Sequence, residues 1–263
     1  MLIKMKNKIR EILKEQAGIS SVVRQWSDVL YSEIMDNPQE HHGKGRLIID
    51  GYEFEVYDEL PIDYFVIDFY DTMTGYDQTK SGYDDNGYYV VVLYVQPTLI
   101  KGSHSYSLKS ALNHELKHAY QDYMRVSKGY GNVDTTKESK SFYTEDFIKL
   151  LNSGVQEGPI KNILRFYYYL SDLERDAYLE NVYDGNNEYV NKVRTVLNTD
   201  FNYFKRYNDL ESNWDYISNL NIPLVNKFKD PESFIDYSNK ILKAKAEKII
   251  KKINKMKYIH KLK

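Results

Sequence analysis

The stretch Leu108–Tyr123, LKSALNHELKHAYQDY, constrains this chain more than any other. Wound at about 100° per residue, it puts Leu112, Leu116 and Ala119 on one side and His114 and His118 on the other, the two histidines about 40° apart and one turn from each other. The apolar stripe must bury against a core, so the opposite face presents two imidazoles together. Two ring nitrogens so spaced suit two positions of a tetrahedral metal. Glu115, about 100° round from His114, is suited to take a proton from a water held there. The five residues His114-Glu115-Leu116-Lys117-His118 thus form an HExxH motif on a helix.

The chain contains no cysteine, so a metal here must be held by His, Asp or Glu, and disulfides and cysteine nucleophiles are excluded. Of its 263 residues 42% are hydrophobic and 28% charged, enough apolar material for a core. No apolar run approaches the roughly 18–20 residues of a membrane span, and the opening MLIKMKNKIREILKEQ alternates charge with aliphatics, unlike a secretory leader. The expected location is therefore the cytoplasm. The net charge of −2 hides an asymmetry: from Lys240 onward ten lysines face one acid, a local +9, which leaves −11 on the remainder. The 26 tyrosines, with abundant Lys, Asn and Ile, reflect A/T-rich codons rather than a role.

Periodicity orders the elements. Leu2, Met5, Ile9, Ile12 and Leu13 predict a first helix, and Val22, Val23, Trp26, Val29, Leu30 and Ile34 a second. Leu47–Ile49, an Asp50-Gly51 turn and alternating Tyr52, Phe54 and Val56 predict a hairpin. Phe65–Tyr70 and Tyr88–Val95 predict strands, with 71–87 a loop whose Asp84-Asp85-Asn86-Gly87 forms a turn and His41-His42 in an earlier loop. Helices are predicted over about 105–127, 140–152, 159–183, 187–209 and 231–261. Helices, then a small sheet, then helices describe an α+β chain.

Catalytic zinc takes three protein ligands and leaves one position open. The continuation HExxHxxGxxH is excluded, because Gln121 and Met124 stand where its Gly and last His belong. Within 159–183, taken as one helix, Glu174 lies in the middle of the apolar face with Ile163, Tyr167, Leu170 and Ala177, while Asp172, Asp176, Arg165 and Arg175 face solvent. A buried carboxylate requires a cation, which is either a metal or a Lys or Arg partner. Glu180 lies further round the same helix.

HExxH followed by a downstream helical Glu resembles the gluzincin branch of the zincin metallopeptidases. Their second motif often reads E-x-x-A-D; Glu174-Arg175-Asp176-Ala177-Tyr178 matches its Glu and Ala and carries Tyr178 in place of the Asp that usually orients a zinc-bound histidine. The resemblance spans residues 88–183. It implies a small twisted mixed sheet with the HExxH helix behind it, and a peptide cleft along an edge strand, for which Tyr88–Val95 is the candidate. It implies Zn²⁺ held by His114, His118 and Glu174, Glu115 as general base, a peptide or protein substrate, and an oxyanion donor for which Tyr178, Tyr167 and His104 are candidates. The expected organisation is a zincin-like domain over 1–183, including two N-terminal helices, and a helical region over 184–263. That region ends in a basic amphipathic helix with Leu242, Ala246, Ile249, Ile253 and Met256 on one side, suited to packing on its own domain, to an assembly partner, to nucleic acid or to an anionic membrane. The alternative role is a structural subunit of a larger assembly, for example a phage particle, that keeps the scaffold with little or no peptidase activity.

Overall fold

The computed structural model describes residues 23–36, 46–50, 62–69, 78–95, 105–127, 144–152, 158–183 and 187–260. The expected helix over residues 2–13, His41-His42, the second half of the 47–56 hairpin and His104 lie outside them. The chain divides into two compact units, Met1–Gly129 and Tyr130–Lys263. The sequence places the break after 183 instead. Residues 159–183 belong with the later helices because Ile160, Ile163, Leu164 and Leu170 share one core with Val193, Phe234 and Leu242.

In the first unit, helix α1 runs over 23–36. Strands β1 (Arg46–Asp50), β2 (Tyr64–Phe69), β3 (Gln78–Tyr83) and β4 (Tyr89–Val95) precede helix α2 (Ser105–Ser127). The sheet has the order β1-β2-β4-β3 and is mixed: β2 and β4 are parallel, and the two outer pairings are antiparallel. Alternation sets the core. Phe65, Ile67, Tyr89, Val91 and Leu93 are buried on one face, against Trp26, Leu30 and Ile34 of α1 and Leu108, Leu112, Leu116 and Ala119 of α2. Each buried Leu, Ile, Val or Phe among them contributes about 1.5–3 kcal/mol by leaving water, which makes the stripe opposite the histidines the anchor of α2.

Two expectations fail here. Residues 78–83, read as loop, form an edge strand. QTKSGY carries no apolar alternation, yet its backbone completes the ladder beside β4, in register from Gln78↔Tyr94 to Tyr83↔Tyr89. Consequently β4 is an interior strand, paired on both sides, and not the edge. The turn between β3 and β4 is as expected: Asp84 Oδ1 accepts from the N–H groups of Asn86 and Tyr88, each at 2.9 Å, and Gly87 supplies a φ of 85°. β1 pairs with β2.

The second unit is helical: α3 (Glu145–Asn152), α4 (Pro159–Leu170), α5 (Asp172–Tyr183), α6 (Glu188–Asn198), α7 (Phe201–Phe204), α8 (Leu210–Ser218), a 3₁₀ turn (Val225–Lys227) and α9 (Pro231–His260). The expected helix over 159–183 is two helices. Ser171 is extended (φ −60°, ψ 153°), its N–H donates to Tyr168 O at 3.1 Å to close α4, and its Oγ accepts from Glu174 N–H at 3.2 Å to open α5. Likewise 187–209 divides at Thr199–Asp200, where the Asp200 carboxylate accepts from Asn202 N–H at 3.0 Å. The apolar side of α9 (Leu242, Ala246, Ile249, Ile253) is buried in the unit's own core, leaving lysines on its outer face. No described helix is long and apolar enough to cross a membrane.

Candidate metal centre

The first unit supplies the two imidazoles. Burial of Leu112, Leu116 and Ala119 turns His114 and His118 together to the other side of α2, where both are half-buried. Their rings meet edge-on, centroids 4.7 Å apart, with the Nε2 atoms 3.2 Å from each other. Tetrahedral zinc with Zn–N bonds of about 2.0–2.1 Å separates two ligand nitrogens by about 3.3 Å, so this spacing fits one shared ion. The other side of the His118 ring is tied down, with Nδ1 3.1 Å from Gln121 Oε1. Glu115 is half-buried on the same helix. One turn further along, Asp122 Oδ2 accepts from Ser81 Oγ at 2.7 Å and fastens edge strand β3 to α2.

The second unit holds Glu174 on α5, only 2% exposed. It stands in the first turn of α5, where its N–H donates to Ser171 Oγ. The neighbouring cation is engaged elsewhere: Arg175 reaches Asp172 at 2.6 Å and Asp176 at 2.8 Å. Burial works against the Arg175 charge, but the hydrogen bond and charge of Asp176, with Asp172, hold its pKa above the usual value.

Tyr178 has a specific setting of its own. Its hydroxyl accepts from Lys192 Nζ at 3.0 Å, and its ring stacks on Tyr189 with centroids 5.0 Å apart and planes 4° from parallel. Lys192 also reaches Glu188 at 2.9 Å and lies over the Tyr169 ring. Burial pushes the Tyr189 phenol far up, and its hydroxyl donates to Tyr169 O. Tyr167 donates to Ser238 Oγ at 3.3 Å within the helical core. Sequence reasoning missed Gln121, although a polar residue three positions after a helical histidine is the signal for such a bond. It also missed Lys192, which no spacing rule links to Tyr178 because the two stand on different helices, α6 and α5.

No protein-family model, curated protein or solved structure matches this chain.

Proposed function

We propose that the protein is a zinc-dependent peptidase, with His114, His118 and Glu174 as metal ligands and Glu115 as general base. The observation that carries this reading is the HExxH pair, whose Nε2 atoms stand at the separation two ligands of one tetrahedral ion require. It is supported by Glu174, a carboxylate only 2% exposed on α5, whose burial favours a cation beside it. Two neutral imidazoles and one carboxylate form a donor set borderline-soft Zn²⁺ accepts.

Zinc bound there supplies a Lewis acid and brings the pKa of a water down toward about 7. The chain's own residues do the rest. His114 and His118 offer lone pairs from a helix fixed by its buried stripe. Glu174 contributes the negative charge that keeps the cation in place. Glu115 takes a proton from the attacking water as oxygen adds to the carbonyl carbon, then delivers it to the nitrogen as the C–N bond breaks.

The test combines metal analysis with hydrolysis of a mixed peptide library. Wild type is expected to carry about one zinc per chain. Glu115→Gln is expected to carry the same and to lose at least about a hundredfold in rate. A wild type without zinc, or a Glu115→Gln variant as fast as wild type, overturns the reading. Zinc bound without hydrolysis by either protein would assign the metal a structural role.

A further inference from the structure

A zinc-bound histidine normally donates its second ring N–H to an acceptor that fixes tautomer and ring orientation, and loss of that acceptor costs about 10–100-fold in metal affinity. At the end of the Glu174 motif, where the resemblance would put an Asp for this task, the chain carries Tyr178, whose hydroxyl accepts from Lys192 Nζ. An amide within α2 is placed for the task instead. Gln121 Oε1 stands 3.1 Å from His118 Nδ1, on the side of the ring away from the Nε2 that faces His114. A carbonyl oxygen only accepts, so this contact is a hydrogen bond in the tautomer whose Nδ1 carries the hydrogen. Nε2 of His118 is then left with its lone pair, directed toward His114 Nε2.

We infer that Gln121 is the positioning residue for His118, holding the imidazole in the tautomer whose Nε2 can ligate zinc. The inference rests on the proposed metal centre and adds a residue to it. The placement follows from helix geometry: residues three apart share a face, and the buried Leu116 and Ala119 prevent α2 from rotating that face away. The choice of amide over carboxylate has a consequence. A neutral acceptor orients the ring without adding negative charge beside it.

Three proteins decide the matter: wild type, Gln121→Leu, which removes the acceptor at similar size, and Gln121→Glu, which keeps it. Zinc affinity is read by competition with a chromophoric chelator, and helix content by circular dichroism. The tautomer of His118 is read from imidazole ¹⁵N shifts in metal-free protein. Gln121→Leu is expected to weaken zinc about 10–100-fold with helix content unchanged and to shift His118 from the Nδ1–H form to a mixture. Gln121→Glu is expected to bind zinc at least as tightly as wild type and to keep the Nδ1–H form. If Gln121→Leu binds zinc within threefold of wild type, roughly below the expected range, or keeps the tautomer, the inference is overturned. The same holds if both variants are weakened equally. A wild type that takes up no zinc removes the parent reading instead, and the metal-free ¹⁵N shifts then still decide whether Gln121 fixes the ring.

Discussion

At the scale of single residues, the chain shows how much a side chain's role depends on what surrounds it. Gly158 precedes α4 with an ordinary extended backbone (φ −169°), so glycine is not needed for its conformation. It is needed for space: a Cβ there would come within 2.5 Å of Asn213 Nδ2. Asn213 is 7% exposed and its Oδ1 accepts from Ile160 N–H at 3.3 Å, so it is not free to move aside. Gly158→Ala is expected to lower the stability of the second unit by about 1–3 kcal/mol, measured by urea unfolding. An unchanged midpoint would show that Asn213 can yield. The histidine pair was legible at this scale because HExxH combines residue type with spacing. Glu174 was legible as a buried acid, though the continuous helix used to find it does not exist. Gln121 was passed over because it was weighed only as a missing glycine and not as a hydrogen-bond acceptor.

At the scale of elements, strands and helices with one strongly apolar face were readable and those without were not. β4 announces itself as YVVVLYV, and α2 and α9 by their stripes. β3, QTKSGY, is a strand because β4 offers it a ladder, which its own residues do not reveal. Ser171 is hidden in an unbroken helical period, yet Ser171-x-x-Glu174 is the pattern of a helix start. α8 went unread despite Leu210, Trp214 and Ile217 at i, i+4 and i+7, all buried. The start of α9 is set by Asp230, whose carboxylate accepts from Ser233 N–H at 2.8 Å and Ser233 Oγ at 2.9 Å ahead of Pro231. Those bonds, the backbone one foremost, hold its pKa below the usual carboxyl value of 3.8. A carboxyl lowered in the folded state stabilises above its unfolded value and loses that contribution as pH falls through the folded one. Asp230→Ala is therefore expected to melt below wild type at neutral pH, with the gap closing as pH falls below about 3.8. A gap constant with pH in thermal melts would contradict this cap.

At the scale of the whole molecule, charge and burial divide the work. The ten lysines from Lys240 onward leave room for an anionic partner on the outer face of α9, while its apolar side is buried in the helical core and Lys245 and Lys252 lie near Asp172 and Asp176 at 3.8 and 3.6 Å. Exposed ion pairs of this kind contribute little, so α9 is held by Leu242, Ala246, Ile249 and Ile253 rather than by its charges. An α+β chain with a small sheet was legible from the order of its periodicities. The sheet's edges, and the division after Gly129, depend on pairings and packing between distant segments that no local pattern encodes. The account turns on whether a carboxylate from the helical part serves the histidines of α2. Metal analysis of wild type beside Glu174→Ala, both checked for native helix content, tests this most directly. The account predicts about one zinc per chain in wild type and a loss of most of it in the variant. Equal zinc in both, or none in wild type, would contradict it.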